Sequence, residues 1–176
     1  MNILVVTGSP RRGSNTDMMA AAFAEGAREA GHAVTIRNLI DYKVAPCKAC
    51  EWCFTHEGVC VQKDDMNELL SDLDTTDTLV VASPIYWFDI SAQSKCFIDR
   101  MYAHARKGFN VTAFAMLLDS GSPDVYGAAE SQLADICAYL GWENKGTFQA
   151  PGMNGRGCIA NTGQLEGAKE FGRNIG

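Results

Sequence analysis

Four cysteines crowd into one short stretch: Cys47, Cys50 and Cys53 are each two residues apart, and Cys60 follows after six more. A C-x2-C-x2-C start wraps three corners of an iron–sulfur cubane, with a fourth ligand from elsewhere in the chain. Cys60 is close enough in sequence to complete such a set, although Val61 stands where a ferredoxin pattern has proline. The same residues serve as free or reversibly oxidised thiols, or as tetrahedral zinc ligands, and all three uses stay open. His56 lies inside this loop as a further ligand or proton donor, whereas His32 and His104 fall at helix ends and read as solvated. Cys96, Cys137 and Cys158 stand alone and read as small apolar packing residues.

A second constellation is Gly8-Ser9-Pro10-Arg11-Arg12-Gly13-Ser14-Asn15-Thr16, which joins an apolar run to a helix-like stretch. Backbone amides at such a junction converge where the helix dipole is positive, so the loop suits a phosphate. Ser14 occupies the position where a nucleoside-triphosphate loop needs lysine, and Ser9-Pro10 replaces the second glycine of a dinucleotide fingerprint. What remains is a single phosphate monoester wrapped by Ser9, Ser14, Asn15 and Thr16, with Arg11 or Arg12 attracting its charge. The competing use of Ser14 or Asn15 is simply to cap the helix.

A third segment, Ser83-Pro84-Ile85-Tyr86-Trp87-Phe88-Asp89, follows another buried run and offers three aromatics to a flat ligand. Singly, each aromatic packs under the next helix or at a subunit interface just as well. A softer fourth contact is Asp119-Ser120-Gly121-Ser122. There Ser120 and Gly121 are the contact residues, because the Asp119 carboxylate opposes any ring that becomes anionic.

These loops need a frame that gathers them. Apolar runs at Ile3–Thr7, Ala33–Asn38, Thr78–Ser83, Val111–Leu118 and, more weakly, Thr147–Ala150 read as strands. Between them, stripes at Met19/Phe23/Ala27/Ala30, Met66/Leu69/Leu70/Leu73, Phe97/Ile98/Met101/Tyr102 and Leu133/Ile136/Cys137/Leu140 read as helices. Gly31 and Gly141 are the expected stops, Asp64-Asp65 the expected cap, and Thr162 to Gly176 a short, frayed closing helix. Strands separated by single helices pair in parallel with right-handed crossovers, giving an α/β doubly wound sheet with helices on both faces. Ligands then bind at the carboxyl ends of its strands.

The whole has 176 residues, 47% hydrophobic and 20% charged, which fits one domain over 1–176 without disulfide or metal staples. A net charge of −6 has the wrong sign for a nucleic-acid partner. No apolar run approaches bilayer length, Met1-Asn2 leads directly into a strand, and the cysteines are odd in number, so a cytoplasmic protein with no membrane partner is expected.

The strings GSPRRGSNT, SPIYWFD and KCFIDR, in register from Asn2 to about Tyr102, resemble the NAD(P)H-dependent FMN reductases and related flavodoxin-like oxidoreductases. That resemblance implies a five-stranded flavodoxin-like sheet of order 2-1-3-4-5. It implies FMN held by Ser9, Arg11, Ser14, Asn15, Thr16, Pro84, Ile85, Tyr86, Trp87, Phe88, Ser120 and Gly121, with the backbone of Pro84 to Phe88 against the ring. NAD(P)H would be the co-substrate and a quinone-, flavin- or nitro/azo-type molecule the acceptor, with no catalytic side chain required. A homodimer or homotetramer is implied too. The cysteine loop is similar to that of the iron–sulfur flavoproteins, which implies a [4Fe-4S] cluster on Cys47, Cys50, Cys53 and Cys60, and, as the alternative function, an electron carrier to protein partners. Many flavodoxin-like relatives keep such a loop ahead of an Asp-Asp-Met helix start without a cluster, as at Asp64-Asp65-Met66 here.

Overall fold

Period-two alternation in the central strands sets the layering. In the computed structural model, which describes residues 1–176, Leu4, Val6, Leu79, Val81, Phe114, Met116 and Leu118 point to one face of the sheet. Ile3, Val5, Val80, Ala82, Ala115 and Leu117 point to the other. Strands apolar on both faces must be covered twice, and they are. The strands are β1 (Asn2–Thr7), β2 (Ala33–Asn38), β3 (Thr78–Tyr86), β4 (Asp89–Ile90), β5 (Ala113–Asp119) and β6 (Glu143–Ala150). The helices are α1 (Asn15–Glu29), α2 (Trp52–Thr55), α3 (Met66–Asp72), α4 (Ala92–Ala105), α5 (Gly127–Leu140) and α6 (Gln164–Arg173). Residues from α3, α4 and α5 pack on the first face, and residues from α1 and α6 on the second.

The long strands run in the order β2-β1-β3-β5-β6, all parallel, which is 2-1-3-4-5 when they alone are counted: the flavodoxin-like arrangement. The two-residue β4 is an addition that the sequence did not signal, folding back antiparallel on the end of β3. The last strand starts at Glu143, four residues before its apolar run, because an edge strand can begin with polar residues such as Glu143, Asn144 and Lys145. No helix is long and apolar enough to cross a membrane.

Two expectations need correction. The closing helix is not frayed: α6 docks on α1, and its glycines make the approach possible, since a Cβ on Gly172 would stand 2.1 Å from the Phe23 carbonyl oxygen. His104 is not solvated. It is only 5% exposed, because it sits on the face of α4 that packs against the short 3-10 turn Leu73–Thr75, with Nε2 3.2 Å from an Asp74 carboxylate oxygen. Burial holds its pKa below the ordinary histidine value, against the opposing pull of Asp74.

Candidate functional site

Strand β1 ends where the Gly8 amide donates to the Ala82 carbonyl at 2.8 Å and the Ser91 hydroxyl donates to the Gly8 carbonyl at 2.6 Å. Glycine is needed there, since a Cβ would fall 1.8 Å from the Ser94 Oγ. The chain then turns into α1 through a complete capping box: the Asp17 amide donates to Ser14 Oγ, and the Ser14 amide donates to Asp17 Oδ2, both at 3.1 Å. Asn15 is committed at both ends, its Nδ2 donating to the Gly155 carbonyl at 2.8 Å and its Oδ1 accepting from the Ile159 amide at 3.1 Å. The Thr16 hydroxyl donates to Asp119 Oδ1 at 2.5 Å. Arg12 turns aside to pair with Asp41.

The side chains of Ser14, Asn15 and Thr16 thus hold the loop in shape, and its donors are left over. The amides of Ser9, Arg12, Gly13, Asn15 and Thr16 donate to no acceptor in the chain. Of these, Ser9, Asn15 and Thr16 line one cavity with Arg11 and Arg156, and unpaired amides at a helix N-terminus beside two arginines match the donor set that a phosphate monoester requires.

The cavity measures about 240 Å³ and is lined by Ser9, Arg11, Ser14, Asn15, Thr16, Pro84, Ile85, Tyr86, Ser120 and Gly121, ten of the twelve residues singled out for the cofactor. Trp87 and Phe88 stand outside it. They form the two-residue turn between β3 and β4, with φ of 50° and 69°, and are 95% and 62% exposed. Such turns favour Asn-Gly, and bulky residues in left-handed conformations store strain of about 1–2 kcal/mol each. A Trp87→Asn, Phe88→Gly variant is therefore expected to unfold at higher urea, gaining about 1 kcal/mol after the entropic penalty of glycine.

The rest of the lining is Asp119 and the segment Met153, Asn154, Gly155 and Arg156, which follows the last strand. Sequence reasoning set Asp119 aside and passed over the segment. The available signal was the density of turn formers, Gly152, Gly155 and Gly157, at the carboxyl end of β6, the same sheet edge as the other loops. A larger apolar hollow of about 490 Å³ between α4 and α5 lies on the flank of the sheet and offers no comparable set of anion donors.

Cys47, Cys50, Cys53 and Cys60 line a separate cavity of about 200 Å³. All seven cysteines are free, and no three His, Cys, Asp or Glu side chains gather closely enough to hold one metal ion. Burial pushes the Cys53 thiol up, and the neighbouring thiols Cys60, Cys47 and Cys50 add to the effect. His56 stacks on Trp52 with ring centroids 3.5 Å apart, and its Nδ1 faces the Trp52 carbonyl and the Thr55 hydroxyl rather than the thiols. The loop is clamped by Arg100, from α4. This guanidinium, 2% exposed, donates to both carboxylate oxygens of Asp64 at 2.7 and 2.9 Å, to the Ala45 carbonyl at 2.8 Å and to Cys60 Sγ at 3.5 Å.

Residues 1–150 match the family described as NADPH-dependent FMN reductase. The chain is 37% identical over 109 residues to an iron–sulfur flavoprotein of Methanosarcina thermophila, covering 62% of this chain and 56% of that protein. It is 30% identical over 141 residues to an iron–sulfur flavoprotein of Archaeoglobus fulgidus, covering 79% and 68%. The chain spans about half the length of most of the curated relatives it matches, from 48% upward. Among solved structures, an NAD(P)H:quinone oxidoreductase from Methanothermobacter marburgensis superposes with a TM-score of 0.81 over 99% of this chain and 96% of that one, at 20% identity. That last likeness is one of fold.

Proposed function

The chain belongs to the NADPH-dependent FMN reductase family, and on that footing we propose that it is an FMN-dependent oxidoreductase using NAD(P)H and a flat conjugated acceptor of the quinone, flavin, nitro or azo type. The observation that carries this is the set of unpaired amides at Ser9, Asn15 and Thr16, lining one cavity with Arg11, Arg156 and Pro84–Tyr86 at the carboxyl edge of the sheet. When bound, FMN would supply the redox chemistry, taking hydride from the nicotinamide and passing electrons to the acceptor.

The chain's own tasks are to bind and to orient. The free amides and the two arginines would hold the phosphate, with Ser120 and Gly121 after β5 and Pro84, Ile85 and Tyr86 of the neighbouring β3 completing the lining. A cavity of about 240 Å³ is below the 300 Å³ or so of a typical cofactor pocket, so its lining would hold the phosphate end of FMN rather than enclose the whole molecule. The exposed aromatic tip of Trp87 and Phe88 favours closure by a second copy, as a homodimer or homotetramer.

The test is anaerobic addition of NADPH to FMN-loaded protein. Bleaching of the flavin absorbance is expected; bleaching by dithionite but not by either nicotinamide overturns the enzyme in favour of an electron carrier. A Ser14→Ala, Asn15→Ala variant loses the helix cap and the tie to Gly155 and Ile159, so the cradle loosens. Its FMN affinity should drop at least tenfold, with about 1 kcal/mol of stability lost from the cap. Full flavin occupancy in that variant would contradict the placement.

A second reading has its own support, the four cysteines around one cavity in a chain related to iron–sulfur flavoproteins. The four thiols do not gather tightly enough for one metal ion, whereas a [4Fe-4S] cluster would take one cysteine on each of its four irons around the shared cavity. Iron and sulfide assays on protein prepared without oxygen decide the matter.

A further inference from the structure

Asp119 is the one carboxylate lining the phosphate cavity, 6% exposed at the carboxyl end of β5. One of its oxygens accepts from Thr16, at the start of the helix whose free amides are the anion donors, and the other makes no hydrogen bond to a side chain. A buried carboxyl group and an incoming phosphate dianion thus share one small cavity, and like charges that close in low dielectric are unfavourable. The charge is relieved most simply by adding a proton to the carboxyl group, which then becomes a donor.

We infer that Asp119 takes up a proton when FMN binds, so that this chain holds its flavin as a neutral-acid complex and releases it as pH rises. The inference rests on the FMN reading above. The titratable and charged groups sharing the cavity or adjoining Asp119 are Arg11 and Asp17 from the β1–α1 loop and first turn of α1, Tyr86 from β3, Arg156 after β6, and Tyr126 through Ser120 ahead of α5. Burial pushes the Tyr126 phenol above the ordinary tyrosine value. The Ser14 amide and the Thr7 hydroxyl already donate to Asp17, whereas one oxygen of Asp119 has no side-chain partner, which leaves Asp119 as the group that responds.

The direction follows by linkage. Burial, with Asp17 adding to it and Thr16 opposing, already raises the carboxyl of the ligand-free protein to about 6. A bound dianion raises it further. Well below pH 6 the group is neutral in both states and takes up no proton; between the free and bound values uptake approaches one proton, and affinity falls by up to tenfold per pH unit. FMN itself is almost wholly dianionic by pH 7.5, its own ionisation lying near 6.

Calorimetric titration of the protein with FMN at pH 7.5, in two buffers of different ionisation enthalpy, counts the protons directly. Uptake is expected for FMN, less uptake for riboflavin, which lacks the phosphate, and none for FMN binding to Asp119→Asn, which should also bind FMN more tightly than the native chain at pH 8. Absence of uptake in the native protein, equal uptake with riboflavin, or unchanged uptake in Asp119→Asn each overturns the inference. Should Asp119→Asn not fold, the native proton counts with the two ligands still decide. Failure of the native protein to bind FMN at all overturns the underlying reading as well, whereas pH-independent binding sinks only the role of Asp119.

Discussion

Arg100→Met is expected to lose about 3–5 kcal/mol of unfolding free energy in urea, because it strands the Asp64 carboxylate, the Ala45 carbonyl and Cys60 Sγ without their shared donor. The guanidinium joins the two ends of the cysteine loop, since Ala45 precedes Cys47 and Asp64 follows Cys60, and it fastens both to α4. Asp64 adds to the clasp by accepting from the Ala45 amide at 3.0 Å and the Met66 amide at 3.3 Å. The variant should therefore be cut by trypsin at Lys48 or Lys63 under conditions where the native chain resists. A partner substitution, Arg100→Met with Asp64→Leu, removes the buried charge and should recover part of the loss, but not the two amide contacts. The contribution of Asp64 also has a pH sign. Its hydrogen bonds to Arg100 and to the two amides outweigh burial and hold its carboxyl below the ordinary value, so its stabilisation is complete above about pH 4 and disappears on acidification through the folded value. Equal urea midpoints for native and Arg100→Met protein would show that the clasp contributes nothing.

Gly172→Ala is expected to be nearly as damaging, at about 3 kcal/mol, the upper end for overpacking, because the new methyl group meets backbone rather than a side chain that can swing away. It would lie 2.1 Å from the Phe23 carbonyl oxygen and 3.0 Å from the Ala27 nitrogen; reciprocally, a Cβ on Gly26 would lie 1.9 Å from the Lys169 carbonyl oxygen. The two helices touch main chain to main chain, and moving them apart opens the packing of Phe23 on Phe171, whose ring centroids are 6.0 Å apart. The ion pairs across the seam, Lys169 with Glu25 and Glu29 and Arg173 with Glu29, are exposed and cannot compensate. Gly127→Ala, with nothing within 4 Å, is the control and should change the melting temperature little. If both alanine variants melt together with the native protein, the close approach has no energetic weight.

The sheet was legible in the sequence because doubly buried strands carry uninterrupted β-branched and aliphatic runs, as at Leu79-Val80-Val81, and each run is followed by a turn former. Strand β6 was legible only in its second half, since Glu143-Asn144-Lys145-Gly146 lies at an edge where burial imposes no pattern. The glycines of α6 suggested fraying because propensity describes a helix alone, and the partner that needs Gly172 lies far away at Phe23. The same distance hid the work of Asn15, whose partners are 140 and 144 residues downstream. Local spacing marked the loop at the start of the first helix, and the structure puts that loop at the edge of a cavity. The spacing did not announce that the side chains brace the loop from within while several amides stay unpaired and Arg156 joins the cavity lining.

The tie between Asn15 and the Gly155–Ile159 stretch also bears on how the molecule is made on the ribosome. Every strand has emerged once residue 150 is out, yet the mouth of the sheet still lacks Arg156 and the carbonyl and amide that anchor Asn15. A nascent chain can thus complete its sheet while its ligand cavity remains unfinished, and the cavity closes only when the 153–159 segment has folded back onto the start of the first helix.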